Sequence, residues 1–309
     1  MTKKKIKAVV TGGAGFIGAH LVDHLINEGW EVVVIDNLVN GKKADVNPKA
    51  RLEVVDIREY EKIEPLFAGA DYCFHFAALP RVQYSIEHPE ETNAVNVTGT
   101  LNVLRAAAAH KLKRLVYSAS SSAYGDPLDS PRRTQGQQVA QPLHEELPAN
   151  PKSPYGLQKY IGELYCRVFN MVYNLPTVSL RYFNVYGPRQ NPDGAYALVI
   201  GKFLKQHRQG EPLTITGDGE QTRDFTYVGD VVRANFLAAT SNKVGQGEVI
   251  NIGAGNNISI NQIAKLIGGE VKYLPARLEP KHTLADNRLA KELLGWVPTV
   301  KIEEGIKKL

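Results

Sequence analysis

The chain has 309 residues, 43% hydrophobic and 22% charged, enough to bury one large core or two adjoining ones. Its 37 basic and 32 acidic side chains leave a formal charge of +5. Part of that excess is Lys3, Lys4, Lys5 and Lys7, and no basic stripe of the kind a nucleic acid needs is present. No apolar run is as long as a membrane span, and nothing at the start has the form of a signal peptide, so no membrane contact and a cytoplasmic location are expected.

Strands and helices alternate through the first half. A β-branched run at 6–11 is followed by a helix at 16–28, with Ile17, Leu21, His24 and Leu25 at helical spacing. Strands are predicted at 31–35, 52–55 and 72–76, then a long helix at 89–110, a fifth strand at 115–118, a helix at 154–173 and a sixth strand at 177–181. This order predicts an α/β fold: a Rossmann-type, doubly wound parallel sheet with right-handed crossovers. The second half is less regular. A loop at 187–195 leads into a helix ending at 209, a strand at 213–216, a helix at 228–240 and a strand at 249–252. Ser259 opens another helix, with Gln262 completing a capping box. The expected division is a NAD-binding domain over 1–183 and a smaller mixed α/β substrate domain over 184–309. The helix near 228–240 is expected to be able to pack back on the first. The segment 126–147, rich in Pro, Gln and Arg, reads as a surface insertion in preference to a flap. Cys73 and Cys166 lie in apolar stretches with no metal or redox spacing, so two buried thiols and no metal are expected.

Chemistry enters at the first strand–helix junction. Gly12, Gly15 and Gly18 allow a tight turn and close approach to a pyrophosphate, and the helix opening at Phe16 and Ile17 offers free N–H groups to its charge. Asp36 and Asn37 end the second strand. The Asp36 carboxylate can accept both hydroxyls of an adenosine ribose and repel a 2′-phosphate, which predicts NAD over NADP. Asp56 and Ile57 follow the third strand, where Asp56 either meets the adenine edge or caps the next turn. Ala77, Ala78 and Leu79 end the fourth strand with little bulk.

Tyr155 and Lys159, four apart on a helix, share one face; Ser153 is suited to the N-cap and Pro154 to the first helical position. Ser120 follows the fifth strand, at the sheet end where such folds bind ligands. A phenol titrates near 10, but an ammonium and an oxidised nicotinamide both favour phenolate. Tyr155 is thus a candidate base, Ser120 a hydrogen-bond partner for the reacting oxygen, and Lys159 a ribose holder.

The glycine loop, Ser120 and the Tyr155/Lys159 pair together resemble the extended short-chain dehydrogenase/reductase superfamily over nearly the whole chain. Arg181-Tyr182-Phe183-Asn184-Val185-Tyr186-Gly187-Pro188-Arg189-Gln190 and Gly217-Asp218-Gly219-Glu220-Gln221-Thr222-Arg223-Asp224-Phe225 are similar to the nucleotide-sugar 4-epimerase pattern, of the UDP-glucose and UDP-N-acetylglucosamine kind. The resemblance implies that Asn184 binds the substrate diphosphate, that Arg223 and Arg277 neutralise it, and that Ser121, Gln190 and Leu198 line the substrate pocket. It implies that Tyr182 and Asn96 border the cofactor. Thr283 falls where the family has a gate beside the sugar C2 substituent, and its small size implies room for an N-acetyl group. Arg277-Leu278-Glu279-Pro280 departs from the family's Arg-Pro-Gly-Asp-like turn. The implied reaction is epimerisation at C4 through a 4-keto sugar, with the hydride passing to NAD and back.

Rival activities differ from this pattern at named residues. A 4,6-dehydratase would want an acidic pair after Ser120, where Ser121 and Ser122 stand; a uronate 4-epimerase or decarboxylase shares the Tyr/Lys chemistry, though the family's uronate epimerases tend to have Thr where Asn184 stands; a non-catalytic NAD or nucleotide-sugar binder need not keep Ser120, Tyr155 and Lys159. The 154–173 helix carries two apolar stripes, one of Leu157, Ile161, Leu164 and Val168 and one of Tyr165, Phe169 and Val172. Two apolar sides need two partners, and the family resemblance implies a homodimer through this helix and 89–110.

Overall fold

The computed structural model describes residues 5–125, 142–192, 198–276 and 281–309. Seven strands form one parallel sheet: β1 (Lys7–Thr11), β2 (Glu31–Ile35), β3 (Arg51–Glu53), β4 (Tyr72–His75), β5 (Arg114–Ser120), β6 (Thr177–Tyr182) and β11 (Gln246–Ile252), in spatial order β11-β6-β5-β4-β1-β2-β3. Short strands β7 (Val185–Tyr186), β8 (Leu213–Thr216), β9 (Thr222–Arg223) and β10 (Thr226–Tyr227) intervene between β6 and β11. β6 is buried at every position and β1 and β2 at all but the first. That is why these segments read as continuous β-branched runs without polar alternation.

Helices cover both faces. Against one lie α1 (Phe16–Asn27), α8 (Val228–Thr240) and α10 (Arg288–Leu294), whose Leu21, Leu25, Val231 and Leu294 share a core with Val10, Val34 and Ile250. Against the other lie α2 (Tyr60–Ile63), α5 (Thr100–Ala109) and α6 (Pro154–Tyr173), built around Val9, Phe67, Leu104, Leu115 and Cys166. The chain after residue 183 therefore contributes α8, α10 and β11 to the large sheet as well as building the smaller lobe. In that lobe α7 (Val199–Gln209), α9 (Ile260–Ile267) and α11 (Ile302–Ile306) enclose Phe203, Ile215, Phe225 and Ile263. β13 (Val271–Leu274) pairs in parallel with β8, and β12 (Ile258–Ser259) runs antiparallel to β9.

Local signals were sound where capping chemistry is explicit. Ser153 Oγ accepts the Gly156 N–H at 3.1 Å ahead of Pro154, and Ser259 with Gln262 forms the reciprocal box. Several segments differ from expectation, among them the strand expected at 249–252, which begins at Gln246. The third strand is 51–53, not 52–55, because the chain turns away at Val54. The fifth strand runs on to Ser120. The single helix expected at 89–110 is α4 (Pro89–Asn93) and α5 joined by a π-helical stretch, Ala94–Gly99, with a separate α3 (Val82–Glu87) before it. A π turn reorients side chains within a helix, here around Asn96. Both cysteines are buried free thiols. Residues 126–141 lie outside the described part. The following stretch docks, with Leu143 bridging Ala285 and the Glu145 carboxylate accepting the Asn251 N–H at 2.8 Å. No helix among the described residues is long and apolar enough to cross a membrane.

Candidate active site

Strand order reverses between β4 and β1, and a cavity of about 490 Å³ opens at the carboxyl ends of the strands there. Its floor is the Gly12–Gly18 loop. Gly12 has φ +71°, and a Cβ on it would lie 2.6 Å from the Ala77 nitrogen; a Cβ on Gly18 would lie 2.2 Å from the Gly12 carbonyl oxygen. No side chain caps the start of α1, so its first N–H groups face the cavity uncovered. Such an uncapped helix start behind a tight glycine turn could cradle a pyrophosphate. Beneath it, the Thr11 hydroxyl meets His75 Nδ1 at 2.6 Å and His75 Nε2 meets Thr100 at 2.9 Å. Burial pushes the His75 pKa down to about 3, so the imidazole is neutral.

Asp36 stands at the end of β2 with Oδ2 accepting the Ala14 N–H at 3.0 Å and Oδ1 the Leu38 N–H at 2.8 Å. Burial raises its pKa, opposed by those two bonds. Asn37 donates to Asp56 at 2.8 Å, and Asp56 also receives the Arg58 N–H and guanidinium at 2.8–2.9 Å. Asp56 therefore caps its turn while lining the cavity. Burial raises its pKa, but the Arg58 and Asn37 bonds prevail and hold it down at about 2. Phe16, Ile17, Ile57, Ala77, Ala78, Leu79 and Tyr182 all line the same space. Asn96 does not. Its amide clasps the N–H and C=O of Leu79, at 2.8 and 3.2 Å, and donates to Gln158 at 2.8 Å. It fixes a lining residue from behind, an effect of the π turn.

At the far end Ser120, Ser121, Ser122, Tyr155 and Lys159 converge. Ser120 is the last residue of β5 and N-cap of the turn after it, so its Oγ accepts the Ser122 N–H at 3.2 Å and donates to the Ser122 hydroxyl at 3.1 Å, beside Tyr155 in the same cavity. Burial pushes the Tyr155 phenol up to about 12, against the lowering effects of the Ser120 bond and the Arg81 charge. Lys159 donates to the Ser118 carbonyl at 2.7 Å, and burial pulls its pKa down to about 8. A hydroxyl, a phenol and an ammonium thus meet beside a dinucleotide cradle. That set can take a proton from an alcohol as hydride leaves the same carbon.

A second cavity of about 270 Å³ adjoins the first through Asn184, Gln190 and Leu198, and adds Arg223, Phe225, Thr216 and Gln221. Thr283 lines neither cavity; its hydroxyl lies 3.5 Å from Asn184 Nδ2. Arg277 and the 277–280 turn lie outside the described residues. The sequence reading stopped at Leu79 and missed Pro80 and Arg81, which continue the lining. The strand-end rule that selected Ala77–Leu79 would have reached them two residues further on.

Residues 8–253 match the model of the NAD dependent epimerase/dehydratase family. The chain belongs to that family. Its cofactor is NAD, and the glycine cradle and Asp36 fit it. Among solved structures, UDP-glucose 4-epimerase from Thermotoga maritima, with UDP-glucose, is 38% identical with a TM-score of 0.90, covering 98% of this chain and 97% of that one. UDP-N-acetylglucosamine 4-epimerase from Methanobrevibacter ruminantium, in complex with UDP-N-acetylmuramic acid, is 36% identical with a TM-score of 0.90, covering 99% and 97%. UDP-glucuronic acid 4-epimerase from Bacillus cereus, with UDP-glucuronic acid and NAD, is 34% identical with a TM-score of 0.87, covering 98% and 97%. The chain is thus a nucleotide-sugar epimerase-family enzyme whose relatives differ in the sugar they take.

Proposed function

We propose that the chain is a NAD-dependent 4-epimerase of UDP-hexoses, acting on the glucose/galactose pair and on the N-acetylated pair. The observation that carries it is the convergence of Ser120, Tyr155 and Lys159 at the end of β5, in one cavity with the glycine loop. When bound in the cavity beside Tyr155, NAD would supply the reversible hydride acceptor that chemistry at the sugar C4 needs. Tyr155 takes the 4-hydroxyl proton and gives it back. Ser120 holds the reacting oxygen on line with the phenol. Lys159, anchored on Ser118, is positioned to hold the nicotinamide ribose. Asn184 and Arg223 take the diphosphate at the junction of the two cavities, where guanidinium and amide donors suit phosphate oxygens. Ser121, Gln190 and Leu198 bound the sugar.

A UDP-uronate 4-epimerase or decarboxylase is the second reading, favoured by the likeness to the Bacillus cereus enzyme. Purified protein given UDP-glucose, UDP-N-acetylglucosamine and UDP-glucuronic acid side by side tests both. Turnover of the neutral sugars, lost in Tyr155→Phe with NAD still bound, is expected. Turnover of the uronate alone selects the second reading, and bound NAD with no turnover of any of the three selects a binding protein. We also propose a homodimer: Leu157, Leu164, Val168, Met171 and Val172 on α6 are 39–66% exposed, an apolar face the described chain leaves uncovered.

A further inference from the structure

Lys159 is not the only cation at the reacting end. Arg81 lines the same cavity as Tyr155, from the turn between β4 and α3, and its position is fixed through the backbone. The Arg81 carbonyl accepts the Ser85 N–H at 2.9 Å, closing the first turn of α3. The Ser85 hydroxyl donates to the Val82 carbonyl at 2.6 Å and accepts the Tyr155 N–H at 3.0 Å. One buried hydroxyl therefore staples the start of α3 to the start of α6. The Lys159 ammonium, by contrast, points at the Ser118 carbonyl and sits 5.0 Å over the Tyr117 ring.

We propose that Arg81 is a positioning residue whose guanidinium stabilises the Tyr155 phenolate during proton transfer, with Ser85 setting the place of its backbone. This rests on Tyr155 being the proton-transfer group of the proposed epimerase. The groups facing Tyr155 from the elements around it are Arg81 ahead of α3, Ser120 to Ser122 after β5, Lys159 on its own helix, Tyr117 on β5 and Tyr182 on β6. Glu163, one turn beyond Lys159, is held by Arg181 at 2.7–2.8 Å. Arg81 and Tyr155 each feel the other's charge, in the direction that favours phenolate beside guanidinium. The Tyr155 site is otherwise low in dielectric, so a nearby positive charge acts strongly there.

The test is an ultraviolet difference titration of tyrosinate in the NAD-bound protein, for the wild type, Arg81→Gln, Arg81→Lys and Tyr155→Phe, alongside pH profiles of kcat and kcat/KM. Subtracting the Tyr155→Phe titration isolates the signal of residue 155. Arg81→Gln is expected to move its midpoint upward by about one pH unit, with Arg81→Lys restoring part of the shift. The rising limb of the kcat profile should move by the same amount, giving about a tenfold loss at neutral pH with KM nearly unchanged. An unmoved midpoint in folded Arg81→Gln, or a change in KM with the limb in place, overturns the role of Arg81 and leaves the Tyr155 reading standing. A fully active Tyr155→Phe enzyme removes that reading itself.

Discussion

Alanine at Gly12 tests whether the loop is a cradle set by backbone approach. Two separable effects oppose the substitution. The φ of +71° places an L-residue in the left-handed region, which costs about 1–2 kcal/mol. The new Cβ would then meet the Ala77 nitrogen at 2.6 Å and Ala77 Cα at 2.9 Å, both backbone atoms. The Ala77 N–H donates to the Thr11 carbonyl at 3.1 Å, so moving it aside loses about another 1 kcal/mol of hydrogen bonding. Gly29 is the internal control: its φ is +80° with nothing within 4 Å of an added Cβ, so only the backbone effect applies. Urea unfolding of the cofactor-free proteins should show Gly12→Ala about 1–2 kcal/mol below Gly29→Ala. If the loop holds the pyrophosphate, calorimetric NAD titration should show Gly29→Ala near wild type and Gly12→Ala weaker by at least about tenfold. Equal destabilisation by the two variants, or unchanged NAD affinity in Gly12→Ala, would refute the close-approach argument.

Lys159 makes a pH-dependent contribution of known sign. Its folded-state pKa of about 8 lies below the unfolded value near 10.4, so between those pH values the unfolded chain binds the extra proton and stability rises with pH, by up to about 3 kcal/mol. Urea midpoints at pH 8 and pH 10 should show this rise in the wild type relative to Lys159→Met, and parallel curves would contradict it. Arg181→Met strands the buried Glu163 carboxylate and should cost about 3–5 kcal/mol, while the double variant Arg181→Met/Glu163→Leu should recover much of that in the same assay. Thr283 lies beside Asn184, so if it acts as the gate that the resemblance implies, Thr283→Tyr should depress turnover of UDP-N-acetylglucosamine far more than of UDP-glucose, and an equal loss on both would remove that gate. Leu164→Glu should convert the proposed dimer to a monomer by light scattering without changing NAD binding.

The strand ends were the legible part of the site. Glycine at 12, 15 and 18, Asp36 and Ser120 each follow a β-branched run, so strand periodicity alone puts them on one edge. The small lobe was less legible because β7, β9, β10 and β12 have two residues each, too few for a period to register. Helix α6 misleads a hydrophobicity reading. Its apolar Leu157, Leu164 and Val168 are exposed, while Gln158, Lys159, Gly162 and Glu163 are buried against the sheet and neighbouring helices. Gly162 is there because a Cβ would come within 2.2 Å of the Tyr117 hydroxyl. Phe169 alone of the two predicted stripes is fully buried. Asn96, which the resemblance placed at the border of the cofactor, does not line the cavity but clasps Leu79, and its reach depends on a π turn that propensity does not encode.

That polar face has a logic of its own. Lys159 and Glu163 are four apart on α6, the spacing at which an ammonium and a carboxylate pair across one turn. Here they do not form an ion pair: Glu163 is taken bidentately by Arg181, and the Lys159 ammonium donates to the Ser118 carbonyl instead. Arg181 is itself braced by the Tyr124 ring at 4.4 Å, and the Tyr124 hydroxyl donates to Asn251 at 2.8 Å. With Arg181 removed, Glu163 keeps two cations one turn away on α6, Arg167 and Lys159, and drawing Lys159 toward it would lift the ammonium off Ser118 and away from the cavity. The buried pair on β6 and α6 then matters less for net stability, where such pairs add little, than for where it leaves Lys159 pointing. Arg181→Met should accordingly weaken NAD binding as well as folding, whereas Arg181→Met/Glu163→Leu should regain the affinity along with the stability. Recovery of stability without recovery of affinity would break the link between the two pairs.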